Sequence, residues 1–191
     1  MKTDVIAVSS REDRVAEALR HTEKAAVYKE LSPKDSLHLR LLTEEMMGLM
    51  RAVTGDVEGS FWIEDEKGAF EVHLKAQTAT NFLQQEQLLS ASTKGRNEAH
   101  RGLMGKIRSF FEPIEGAPML DLSPDGGYME TSWSLSAYEE KLRREARETR
   151  EAMEAWDELE KSVIAHVADE VKVSIRGRDV ELIAYYQAGQ H

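Results

Sequence analysis

The spacing of apolar residues changes several times along this chain, and each change marks an element. From Arg11 to Leu31 they recur at Val15, Ala16, Leu19, Ala26 and Val27 with charges between, the period of a surface helix. Ser32-Pro33 ends that run and opens the next. Ser32 suits an N-cap, Pro33 a first helical position and Asp35 the positive end of the helix dipole. The second helix is predicted from Pro33 to Val53. Leu37, Leu41, Leu42, Met46, Leu49, Met50 and Val53 give it the broad apolar stripe of a central core helix. Upstream, the short β-branched run Val5-Ile6-Ala7-Val8 reads as an edge strand or a leader segment, with Ser9-Ser10 able to cap the first helix.

After Thr54-Gly55 the period drops to two. Ser60-Phe61-Trp62-Ile63-Glu64 has strand character, Asp65-Glu66-Lys67-Gly68 makes a turn, and Phe70, Val72 and Leu74 alternate with Glu71, His73 and Lys75. This is a hairpin with one dry and one wet face. Asn81 to Leu89 reads as a short helix, Ser90 to Asn97 as a polar loop, and Glu98 to Glu112 as a helix that Pro113 stops. Ile114 to Tyr128 holds two prolines and three glycines and reads as a long loop. Leu135 to Val167 is predicted as one long helix, with Leu135, Tyr138, Leu142, Ala146, Met153, Trp156, Leu159, Val163 and Val167 on its apolar side. Val171 to Ile175 and Val180 to Tyr185 flank Arg176-Gly177-Arg178-Asp179 as a second hairpin. The fold class is α+β, a two-layer sandwich of helices on one mostly antiparallel sheet. We read a single domain over 1–191, with 114–167, the loop plus the long helix, as an insertion.

Composition narrows the function classes. With 41% hydrophobic and 31% charged residues the chain is globular rather than disordered. The net charge of −10 opposes binding to a phosphate backbone, so no nucleic acid is expected. Zero cysteines excludes disulfides, thiolate metal sites and cysteine nucleophiles. No apolar run approaches a membrane span and the opening Met1-Lys2-Thr3-Asp4-Val5-Ile6 has no signal-peptide core, so no membrane and a cytoplasmic location are expected. The histidines show no ligand spacing, and no nucleophile elbow, Gly-Lys-Ser/Thr phosphate loop or dinucleotide fingerprint occurs.

Leu41-Leu42-Thr43-Glu44-Glu45-Met46-Met47-Gly48, followed by a hairpin, then Thr93-Lys94-Gly95-Arg96-Asn97 and Arg101-Gly102-Leu103-Met104-Gly105-Lys106-Ile107, then a closing hairpin, resembles the GHKL superfamily. That superfamily joins gyrase-type topoisomerases, heat-shock chaperones, mismatch-repair ATPases, sensor histidine kinases and anti-sigma-factor kinases, the last being nearest in size. The resemblance implies the histidine kinase-like ATPase fold, a general-base glutamate at Glu44, and a magnesium-binding asparagine where this chain has Gly48. It further implies phosphate contacts from Thr93, Lys94, Gly95, Arg96, Gly102, Gly105 and Lys106, with ATP and magnesium as possible ligands. The family's adenine-reading aspartate has no counterpart in Leu74-Lys75-Ala76-Gln77-Thr78-Ala79-Thr80, where Gln77 or Thr78 could offer an acceptor.

Plainer readings stand beside these. Glu44 and Glu45 point about 100° apart on a helix, so they cannot act as one pair, and Glu44 fits a solvated rim as well as an active site. Gly102 and Gly105 fit close helix packing as well as phosphate binding. Two functions follow. The first is a degenerate ATPase-fold module acting as a regulator that binds a protein partner, with the long helix and the Gly116 to Gly127 loop as contact surfaces and a homodimer possible. The second is an active ATP-binding protein, either an ATPase or an anti-sigma-type serine kinase. Whether the chain is an enzyme is left open between them.

Overall fold

Two hairpins distant in the chain lie side by side in one sheet. A computed structural model of the protein describes residues 1–9, 12–54, 58–77, 130–145, 149–176 and 178–190. Along these run β1 (Ile6–Ser9), α1 (Glu12–Tyr28), α2 (Pro33–Thr54), β2 (Glu58–Glu66), β3 (Ala69–Gln77), β4 (Glu130–Ser134), α3 (Leu135–Glu145), α4 (Arg150–Glu160), α5 (Val163–Val167), β5 (Glu170–Arg176) and β6 (Asp179–Gln187). The strands form one six-stranded sheet in the order β1-β2-β3-β6-β5-β4. Every neighbouring pair in it is antiparallel. The α+β class and the two-layer arrangement are as the sequence predicts.

The first hairpin follows from its turn. Lys67 and Gly68 have φ of 53° and 86°, the left-handed pair that a two-residue hairpin turn matched to strand twist demands. Asp65 secures it by accepting the Gly68 N–H at 3.1 Å, and the Lys29 ammonium pairs with the same buried carboxylate. Gly59 serves another purpose. A Cβ there would stand 2.7 Å from the Lys75 carbonyl oxygen, so the β2–β3 approach at that end requires the missing side chain.

The sheet's inner face is built in rows. Phe61, Leu74, Leu182, Val173 and Trp133 are successive cross-strand partners, and so are Ile63, Val72, Ala184 and Val171. All are buried. Across the β3–β6 join lies α2, whose Leu39, Leu42, Met46 and Leu49 are fully buried in the same core. The expectation that the central helix crosses a sheet made from both hairpins therefore holds. α1 packs on α2 through a buried pair of hydroxyls, Thr22 and Thr43, whose oxygens lie 2.9 Å apart. Each hydroxyl also reaches the carbonyl one turn back in its own helix, Ala18 or Leu39, at 3.0 Å. With two protons for three contacts, one hydroxyl donates across to the other helix while the second donates to its own carbonyl, so neither hydroxyl is left unbonded.

Three expectations are corrected. The single helix predicted from Leu135 to Val167 is three helices. Thr149 begins a new one by accepting the Ala152 N–H at 3.2 Å, and Ser162 leaves helical geometry with φ −75° and ψ 133°. Ala152, Ala155 and Leu159 are buried, while Met153, expected on the apolar side, is 52% exposed. Glu130 to Ser134, given no element by the sequence reading, is the edge strand β4, where Trp133 continues the inner row. Val27 and Leu37, both placed on apolar stripes, are 78% and 51% exposed because, at about 100° per residue, each falls opposite the buried face of its helix, Ala18, Thr22 and Ala25 on α1 and Leu39, Leu42 and Met46 on α2. The helices expected at 81–89 and 98–112 and the loop at 114–128 fall on residues outside those described. No helix among the described residues is long and apolar enough to cross a membrane.

The tight β2–β3 approach yields a test. Gly59→Val is expected to lower unfolding free energy by about 1–3 kcal/mol, as overpacking does. Leu42→Ala, which empties a fully buried site, should cost about 2–5 kcal/mol. Urea unfolding followed by far-UV circular dichroism measures both.

Candidate functional site

Helix α2 separates its two faces sharply. Thr43 is buried against α1, while Glu44, Gly48 and Arg51 are exposed and fall on one stripe at helical spacing. Glu45, one residue on, is half-buried, and burial followed by the neighbouring Glu44 charge pushes its carboxyl pKa up. The adjacent glutamates thus occupy different environments, as their angular separation requires. Glu44 stands four residues before Gly48, and a glycine there supplies no oxygen to a cation. No group of three metal-ligating side chains occurs among the described residues. Thr93, Lys94, Gly95, Arg96, Gly102, Gly105 and Lys106 lie outside the described residues.

Of the segment expected to read adenine, Leu74 to Gln77 belong to β3. Leu74 and Ala76 are core residues, and the Gln77 side-chain amide donates to Asp179 Oδ1 at 2.8 Å, fastening the end of β3 to the start of β6. Its NH₂ group is thereby committed within the fold. Thr78 lies outside the described residues.

A second polar cluster sits where α2 begins. Ser32 Oγ accepts the Asp35 N–H at 3.1 Å and donates to Asp35 Oδ2 at 2.6 Å, a reciprocal cap of the helix start. Tyr186 O–H from β6 donates to Asp35 Oδ1 at 2.6 Å, and the Gly189 N–H reaches the same oxygen at 3.0 Å. His38 Nδ1 is 3.4 Å from the Tyr186 oxygen, with the rings edge to face. Ser32, then Tyr186, then Gly189 stabilise the charged carboxylate, and together they hold the Asp35 pKa down to about 2. Burial, then Asp35, pushes the Tyr186 phenol well above its ordinary value, so it remains a donor.

A Tyr, a His and an Asp in contact resemble catalytic machinery, but the geometry here is that of a tie. The phenol's proton is committed to Asp35, Asp35 accepts from three donors, and Tyr186 is 1% exposed, leaving no room for a substrate beside them. Sequence reading found its lower half, Ser32 and Asp35, from capping chemistry. It had no signal for Tyr186, which arrives from 151 residues away.

No protein-family model matches the chain, and no curated protein matches it.

The Asp35 tie carries a pH signature. Its carboxyl is about 2 in the fold and about 3.9 in an unfolded chain. Its contribution to stability is therefore complete above pH 4 and is lost as pH falls from about 4 towards 2. Tyr186→Phe should cost about 1–3 kcal/mol at neutral pH and flatten that acid slope. Thermal melts at pH 2.5, 4 and 7 measure both effects, and an unchanged slope in the variant would remove Tyr186 from the account.

Proposed function

We propose that this chain is a degenerate module of the histidine kinase-like ATPase fold that works by binding a protein partner rather than by turning over nucleotide. The observation that carries the reading is the exposed α2 stripe, where Glu44 is followed four residues later by Gly48. In the fold it resembles, that second position holds an oxygen ligand for magnesium, and a phosphate chain approaching Glu44 here would meet a bare backbone. The fusion of both hairpins into one antiparallel sheet with α2 across the join is compatible with that fold.

A second reading, an ATPase or an anti-sigma-type serine kinase, draws support from Glu45, whose raised carboxyl pKa is a property of general bases. It would place the nucleotide's phosphates on the glycines and cations between Thr93 and Lys106.

Calorimetry separates the two. Titration of the full chain with millimolar ATP and magnesium should give no binding heat. Micromolar binding, with a thermal shift abolished in Gly105→Ala and Lys106→Ala, would establish the second reading in place of the first.

A further inference from the structure

The sheet has a second face, and its chemistry is organised. The described helices bury their apolar side chains in one core with the inward strand positions, so the outward positions face away from that layer. Two adjacent cross-strand rows stand out there. In one, Trp62, His73, Ile183 and Lys172 are successive partners across β2, β3, β6 and β5, with Trp62 and Ile183 its apolar members. In the other, Glu64, Glu71, Tyr185 and Glu170 are successive partners across β2, β3, β6 and β5. An apolar row thus lies beside an acidic row, with neighbouring positions about 5 Å apart.

We propose that this face binds a basic, amphipathic segment of another protein, with Arg or Lys side chains on the acidic row and apolar ones on the Trp62 row. This deepens the partner-binding reading by naming the surface and the partner's chemistry, and it uses neither the α2 stripe nor a nucleotide. Charge carries the first part of the argument. On β2, β3, β6 and β5 the described outward positions hold Glu58, Glu64, Glu66, Glu71, Asp179, Glu181 and Glu170 against three bases, Lys75, Lys172 and Arg176. Lys2 reaches in at 2.9 Å but neutralises only Glu64. Lys2 answers Glu64, so its cross-strand neighbour Glu71, whose side chain is 41% exposed, is the carboxylate that an added cation meets. A second copy of this chain, itself carrying a charge of −10, would bring the same sign of charge to this face.

Ring geometry carries the second part. The face already holds cations on its aromatic rings, with Lys2 Nζ 5.1 Å from the Trp62 centroid and Lys172 Nζ 5.1 Å from that of Tyr185. Glu71 is the direct partner of Tyr185, so one guanidinium could stack on the phenol and pair with the carboxylate together, a combination that favours Arg over Lys. Third, His73 at the centre is 7% exposed, with both ring nitrogens covered by the chain itself and without a hydrogen-bond partner. Its ring is stacked on Trp62 at 4.7 Å, and Nε2 sits 3.2 Å from Glu71 Oε2 without hydrogen-bond alignment. A partner therefore reaches not the imidazole but the adjoining Glu71 carboxylate, whose side chain is 41% exposed.

The test uses a fluorescein-labelled dodecapeptide of alternating arginine and leucine, titrated with the full chain at physiological salt and read by anisotropy. The parent protein should bind. Glu71→Gln combined with Tyr185→Ala should weaken binding at least tenfold with an unchanged circular dichroism spectrum, while Glu140→Gln, an exposed change of equal charge on α3, should leave it unaltered. Should the double variant lose its folded spectrum, Glu71→Gln by itself decides, with a loss of at least threefold expected. Absence of binding by the parent, or equal weakening in Glu140→Gln, would overturn the proposal. So would a parent dimer in sedimentation that Tyr185→Ala dissolves, which would assign the face to a second copy. If ATP binds in calorimetry while the peptide still depends on Glu71, the degenerate-site reading falls and this one stands.

Discussion

The pairing of β3 with β6 is the constraint on which the rest of the structure depends. It aligns Ala69 with Gln187 and Gln77 with Asp179, and so fuses two hairpins that would each be marginal in water. Only after that fusion does a continuous apolar surface exist for α2 to cover, and only then does Tyr186 reach Asp35 at the helix start. The two kinds of contact reinforce one another. Leu42, Met46 and Leu49 press the helix onto the join, while the Asp35 cluster fixes where along β6 the helix begins. A helix free to slide by one turn would keep much of its apolar burial but lose these hydrogen bonds, so the polar tie sets position where the apolar contacts supply most of the energy.

Much of this was legible in the sequence because it is local. The alternation of Phe70, Val72 and Leu74 with Glu71, His73 and Lys75 fixes a two-faced strand, the Lys67-Gly68 pair fixes its turn, and Ser32-Pro33 with Asp35 fixes the start of α2. What failed was tertiary in origin. Leu37 and Val27 are apolar yet stand on the solvent side of helices whose opposite faces are buried, and apolar character by itself does not say which side of a helix meets the core. The long helix was misread because Thr149 and Ser162 are weak breakers that sequence alone passes over, and because two short amphipathic helices in succession imitate one. β4 was missed because its run, Glu130 to Ser134, offers one large apolar residue, Trp133, and strand identity there comes from pairing with β5.

The candidate site divides along the same line. Glu44 and Gly48 could be placed on one stripe from their spacing, and the structure puts them there, facing solvent. The different environment of Glu45 could not be read, because burial of a side chain is a property of neighbours rather than of spacing. The acidic and apolar rows on the outward sheet face were equally hidden. Each strand announces only its own alternation, and a row exists only once the register between strands is known.

The distance along the chain between the partners of the central pairing has a consequence for how the molecule is made. Gln77 and Asp179 are 102 residues apart, so the exposed rim of β3 must wait on a ribosome for several seconds before its complement is synthesised. Through that interval the first hairpin offers unsatisfied amides and carbonyls beside Phe70, Val72 and Leu74. Nascent chains of this protein are accordingly most vulnerable to adhering to one another, and most in need of a chaperone, just before the final hairpin emerges.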